Sequence, residues 1–150
     1  MGDKVRFHFE QPEESPGYLL WQVSMAWQRQ INRALSPFNL THSQFVALAA
    51  LGWLSRQSEE ITQKDISNHS NIDRMLMSKL LRALQKRKLI DRQEHPTDTR
   101  AKCVFLTPAG QGLLQQAVRA VEAADLAFFA KADNGSVLTP ELQKLLNPDL

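Results

Sequence analysis

A single cysteine, Cys103, in 150 residues excludes an internal disulfide and agrees with a reducing compartment. The four histidines, at 8, 42, 69 and 95, have no metal-ligand spacing to one another or to Cys103, so no metal or other cofactor is expected. A Gly-rich phosphate loop, a G-x-S-x-G nucleophile elbow and a carboxylate pair in an apolar setting are all missing, and an enzyme is not expected. No run of about 18 apolar residues occurs, and the N-terminus is polar and mixed in charge. Neither a transmembrane span nor a signal peptide is therefore expected, and the chain is expected to be cytoplasmic. Internal repeats and low-complexity tracts are also lacking. What is present is 43% hydrophobic and 23% charged residues, enough for one domain with a core.

The net charge of +2 hides a segregation. Residues 62–107 hold ten Lys or Arg against five Asp or Glu, giving +5, while the remainder holds eight against eleven, giving −3. Within that segment the pattern predicts a short helix opened by a Thr62 cap with Ile66 inward, a polar turn at Ser70 and Asn71, and a longer helix capped by Asp73. At 100° per residue, Met77, Leu80, Leu81 and Leu84 share one side of the longer helix, and Met75, Ser78, Lys79, Arg82 and Lys86 share the other. Strand-like runs follow at Leu89–Glu94 and Lys102–Leu106, joined by HPTDTRA, whose Pro, Asp and Thr form turns. The order is that of a winged helix-turn-helix: mainly α with a small β-wing. Taken alone, the basic helix face also fits an ordinary solvated face; the hairpin after it and the local positive field favour phosphate binding.

The run DISNHSNIDRMLMSKLLRALQKRKLIDR, followed by HPTDTRAKCVFLTPAG, resembles the MarR (multiple antibiotic resistance regulator) family of transcription factors. The resemblance is carried by Asp73, Leu89-Ile90-Asp91-Arg92, Asp98-Thr99-Arg100, Leu106-Thr107-Pro108-Ala109-Gly110 and, upstream, Leu40-Thr41 with Gln44-Phe45. It covers roughly residues 15 to 147. One departure is Lys88, where many members have Gly; a left-handed cap there would be mildly strained. The resemblance implies a homodimer built from interlocking first and last helices, acting as a repressor whose DNA affinity changes with a small aromatic or amphipathic effector. One branch of the family senses hydroperoxides through a cysteine in the N-terminal helical region, a position Cys103 does not match. Cys103 is therefore read as a buried, structural strand thiol; Lys102 and Arg100 beside it are the only feature that points the other way, to a thiolate.

Elsewhere, Val5, Phe7 and Phe9 alternate with polar residues in an arm over 1–14. Ser15-Pro16 opens a helix to about Ser36, with Leu20, Val23, Trp27, Ile31 and Ala34 in one stripe widened by Leu19, Trp21 and Met25. So broad a face is either core, a subunit interface or the wall of a ligand pocket. Thr41-x-x-Gln44 has capping-box form and opens a helix to about Arg56; Gly52 inside it suggests close approach by another backbone. Thr107-Pro108 begins a helix to about Ala132 with Leu114, Ala117, Val121, Ala124 and Phe128 aligned, and Thr139-Pro140 begins a last one. The expected organisation is one domain over 1–150, with dimerisation helices at 15–36 and 108–147 around a DNA-binding region at 41–107.

The partner expected from these residues is double-stranded DNA. Arg74, Met75, Ser78, Lys79, Arg82 and Lys86 would face the major groove, with Met75 against a thymine methyl, and Asp98, Arg100 and Lys102 would serve from the wing. Asp98 is expected to hold the Arg100 guanidinium by a charge-assisted hydrogen bond. Trp21, Trp27 and Trp53 are the expected effector-binding residues. Two alternatives of other kinds remain at this level: a winged-helix module for an acidic protein partner, and a redox regulator using Cys103.

Overall fold

The structure, a computed structural model, describes residues 2–98 and 100–147. Thr99 of the wing, Met1 of the arm and residues 148–150 lie outside the described residues. The elements are α1 (Pro16–Leu35), α2 (His42–Leu54), α3 (Gln63–Ser70), α4 (Arg74–Lys86), β1 (Ile90–Glu94), β2 (Lys102–Leu106), α5 (Pro108–Phe129) and α6 (Leu138–Leu146).

Side-chain caps start five of the helices. Ser15 accepts from the Tyr18 amide ahead of α1, Thr107 from Gly110 ahead of α5, and Asp73 from Leu76 ahead of α4. Thr41 with Gln44, and Thr62 with Asp65, form reciprocal capping boxes at α2 and α3. Each cap satisfies donors that the first turn leaves free and contributes about 1 kcal/mol. The centre of the molecule is α2, whose Phe45, Ala47, Leu48, Ala50 and Leu51 are buried on more than one side because α1, α3, α4, α5 and β2 all pack on it. The inward stripe of α4, Met77, Leu80, Leu81 and Leu84, closes the core from below, and Leu114, Ala117 and Val121 of α5 close it from above.

The chain leaves α4 through Lys88 at φ +61°, with the Leu89 amide bonded to the Leu84 carbonyl and the Lys88 amide to that of Gln85. That pair of bonds is a Schellman cap, normally built on glycine. Leu89 closes the cap, so β1 begins one residue later than the sequence suggests. β1 and β2 pair antiparallel in register Ile90 with Leu106 and Arg92 with Val104. On its other edge β2 receives a short extended segment, since Val104 N–H donates to Ile61 O at 2.7 Å and Thr62 bridges Cys103. The wing is thereby tied to the entrance of α3.

Two glycines explain how α5 docks. A Cβ on Gly110 would run into the Leu89 carbonyl oxygen, so the LTPAG motif needs glycine where α5 begins against the end of α4. A Cβ on Gly52 would lie 2.7 Å from Leu114 Cδ2; the close neighbour is a side chain of α5, not the backbone that the mid-helix glycine suggested.

The C-terminal elements differ from expectation. α5 ends at Phe129, and 3-10 turns run over Ala130–Gly135, with Asp133 and Gly135 at positive φ. Because Val137 is itself helical, the chain enters α6 at Leu138 without an extended cap residue, and Thr139 does not cap it. The arm residues Val5 and Phe7 are exposed and belong to no strand. The α1 stripe is split: Ile31 is buried and Met25, Trp27 and Ala34 are half-buried, whereas Leu19, Leu20, Trp21 and Val23 are exposed. No helix among the described residues is long and apolar enough to cross a membrane.

Candidate nucleic-acid interface

Two helices joined by a turn make the first part of the site. Asn71 ends α3 in the left-handed conformation, and Asp73 starts α4 three residues beyond Ser70. Gln63 Nε2 on α3 donates to the Arg74 carbonyl at 3.2 Å, clasping the two N-termini. The buried stripe of α4 then forces its opposite side outward: Arg74, Lys79, Arg82 and Lys86 are exposed, Met75 is 76% exposed, and Ser78 is half-buried. Among the described residues none of these four cations is in an ion pair. Arg87, by contrast, is used internally, its guanidinium donating to the carbonyls of Asn39 (2.8 Å) and Phe38 (3.2 Å).

The wing makes the second part. The Asp98 carboxylate accepts from the Arg100 backbone amide at 3.0 Å, and Ala101 N–H donates to Asp98 O. The expected Asp98–Arg100 ion pair is thus corrected. A short Asp side chain in a tight turn reaches the amide two residues on more readily than a long, mobile guanidinium. The Arg100 side chain instead lines a groove of about 590 Å³ between α3, α4 and the wing. Lys64, Arg74, Arg92, Arg100 and Lys102 all line it, with Asp98 the one carboxylate. Arg92 is held in place by its Nε–H donating to Gln85 Oε1 of α4 at 2.7 Å. Five cations around one groove repel each other unless an anion lies among them, and a chain of phosphates is suited to that.

The structure thus brings the sequence-predicted Arg74, Arg100, Lys102 and Asp98 into one groove and sets Met75, Ser78, Lys79, Arg82 and Lys86 along the adjoining helix. Sequence reasoning misses Lys64, Arg92 and His95. For Arg92 a signal was present, because strand alternation puts it on the face shared by Ile90 and Glu94; for Lys64 there was none beyond its charge.

The tryptophans are not gathered. Trp53, beneath the Arg56 guanidinium (4.7 Å to the ring centroid), lines a second cavity of about 970 Å³ between α2, β2 and α5, together with Leu106, Leu114 and Val118. Trp27 donates its Nε1–H to Asp125 at 2.7 Å and meets His42 edge to face. Burial there holds the His42 imidazole below its ordinary value, against the Asp125 carboxylate, which raises it. Trp21 lies 63% exposed on the outer side of α1. In the chain as described, neither Trp21 nor Trp27 lines the Trp53 cavity.

Cys103 is buried, and desolvation, then the carboxylates of Glu60 and Asp65, push its thiol up. This is the buried strand thiol expected, and the thiolate is disfavoured because the strand turns the thiol inward, near Glu60 and Asp65 rather than Lys102 and Arg100. Among the described residues no group of three or more His, Cys, Asp or Glu is placed to hold a metal ion.

Comparison with known proteins decides the family. The model described as MarR family matches residues 40–102. The chain is 38% identical to an uncharacterised HTH-type transcriptional regulator, YdcH of Bacillus subtilis, over 138 residues, 92% of this chain and 94% of that one. The chain belongs to the MarR family. A second relative is the HTH-type transcriptional repressor Rv2887 of Mycobacterium tuberculosis, 30% identical over 77% of this chain and 80% of that protein. Among solved structures, BpsR of Bordetella bronchiseptica, described with regulation of its DNA binding by 6-hydroxynicotinic acid, superposes with a TM-score of 0.81 at 25% identity, covering 95% of this chain and 99% of that one. As a MarR-family chain this protein is a DNA-binding transcriptional regulator, and α3–α4 with the β1–β2 hairpin is its winged helix-turn-helix.

Proposed function

We propose that this MarR-family chain is a non-enzymatic, cytoplasmic repressor that binds an inverted-repeat operator as a homodimer and releases it when a small amphipathic molecule binds. The observation that carries the DNA-binding geometry is the groove where Lys64, Arg74, Arg92, Arg100 and Lys102 converge beside the free basic face of α4. In this reading the N-terminal half of α4 enters the major groove, where Arg74, Ser78, Lys79 and Arg82 reach base edges or phosphates and Met75 meets a thymine methyl. Arg100 reaches the flanking minor groove, whose negative potential deepens as it narrows.

The dimer is supported by the exposed apolar residues of α1 and α6, which make the frame at 15–36 and 108–147 incomplete as one copy. Release is supported by the Trp53 cavity, which combines an apolar wall with Arg56 and so suits an aromatic ring bearing an anionic group.

The test is selection of bound duplexes from a randomised pool, followed by stoichiometry on the winner. The expected result is two chains on two half-sites about 10 bp apart or a small multiple of that. A lone half-site filled tightly by one chain contradicts it. For release, aromatic acids that quench Trp fluorescence are expected to free the duplex in wild type and lose effect in Trp53→Leu.

A further inference from the structure

The tip of the wing is closed on a histidine. His95 Nδ1 accepts from the Thr97 amide at 3.2 Å and the Asp98 amide at 3.1 Å, and the Thr97 hydroxyl lies 3.3 Å away. Its Nε2 faces the Glu60 carboxylate at 3.6 Å, and the ring is only 16% exposed. A ring nitrogen that accepts amide hydrogens carries no proton, so these contacts fit the neutral tautomer with its N–H toward Glu60. The same ring therefore latches the hairpin tip on one side and ties it to the segment entering α3 on the other. From Asp98, whose amide His95 holds, the next link is the carboxylate that holds the Arg100 amide.

We propose that His95 is the positioning residue of the wing: it sets Arg100 for DNA only while its ring is neutral, and protonation unlatches the tip. The inference rests on the groove being the DNA site. Charged groups surround the groove that His95 lines. Glu60, before α3, lies against Nε2, and Asp98 in the tip, Lys64 of α3, Arg74 of α4, Arg92 of β1, and Arg100 and Lys102 of the wing line the same groove as the ring. A protonated Nδ1 points its hydrogen at two amide hydrogens, and both amides lose their acceptor. Histidine is the side chain whose charge ordinarily changes between pH 5 and 8.

The experiment measures operator affinity at fixed salt from about pH 8 to about pH 5.5 for wild type, His95→Asn and Arg100→Ala. An Asn side-chain oxygen can accept from the same two amides and does not titrate. Each measured against its own alkaline affinity, wild type is expected to lose about fivefold more than His95→Asn on acidification, the size of a lost hydrogen bond. Arg100→Ala is expected to lose that extra pH dependence. Parallel wild-type and His95→Asn curves overturn the proposal, as does tighter wild-type binding in acid, which would mean that a charged His95 holds phosphate directly. An Arg100→Ala chain that binds like wild type at every pH faults the groove itself; weakened Arg100→Ala binding beside parallel wild-type and His95→Asn curves faults His95 alone. Independently of any variant, imidazole nitrogen shifts of wild type at alkaline pH are expected to report the Nε2–H tautomer, and the Nδ1–H tautomer overturns the latch.

Discussion

Between Leu40 and Leu106 the large apolar side chains are buried or half-buried except Trp53, Met75 and Leu76, and α4 and the wing present the cations Arg74, Lys79, Arg82, Lys86, Arg100 and Lys102 to solvent. In the surrounding frame the pattern reverses. α1 leaves Leu20, Trp21 and Val23 outside, α5 leaves Leu126, and α6 leaves Leu145 and Leu146. The first region has a finished core and an unneutralised surface, so the partner it lacks is a polyanion. The second has apolar surface that water penalises by about 25 cal/mol per Å², so the partner it lacks is another apolar surface. One chain thus carries two unfinished faces that call for different chemistry, and α5, packed on both α1 and α2, joins them.

Breaking that joint should have the largest effect. Gly110→Ala puts a Cβ on the Leu89 carbonyl, so α5 must move, and urea unfolding is expected to show a loss of about 3 kcal/mol. Gly112→Ala, two residues on in the same helix with open space around it, is expected to gain up to about 1 kcal/mol. Equal effects would mean that the two regions do not meet as described.

The next variant separates the faces. Leu20 is 56% exposed, so Leu20→Glu should leave the fold intact by circular dichroism. It should weaken self-association by about a hundredfold or more, ~2.7 kcal/mol, in sedimentation equilibrium. An undisturbed dimer would show that α1 is not its interface.

The smallest expected effect lies where α1, α2 and α5 meet. His42 is held below its ordinary 6.5 by burial, so the folded state disfavours its proton and the unfolded chain takes it up first. Its contribution is therefore complete above about pH 6.5 and is lost as pH falls below it. His42→Gln should flatten the fall in urea midpoint over that acidic range relative to wild type. An unchanged slope would remove His42 from the account.

These two regions also differ in how far the sequence reveals them. Helix starts were legible because Ser15-Pro16, Thr41 with Gln44, Asp73 and Thr107-Pro108 act within their own first turn. The basic face of α4 was legible because its buried stripe fixes what lies opposite, and β2 was legible over its full span of Lys102–Leu106. Hidden features depend on residues far apart in the chain. Ile61 pairs with Val104, Arg87 reaches back to Phe38 and Asn39, Arg92 is steered by Gln85, and His95 faces Glu60. The Asp98 contact was misjudged for a local reason: two donors were in reach, and the backbone amide took the carboxylate.

The central claim is that α4 and the wing grip DNA together through the groove where Arg100 converges with Arg74 and Arg92. The most direct test is operator affinity of wild type and Arg100→Ala over one salt series, with folding and dimerisation checked for both. Loss of this cation should weaken binding at least about tenfold, ~1.4 kcal/mol, and make the log–log salt slope shallower by about 0.9. An Arg100→Ala chain with the affinity and the slope of wild type would contradict the account.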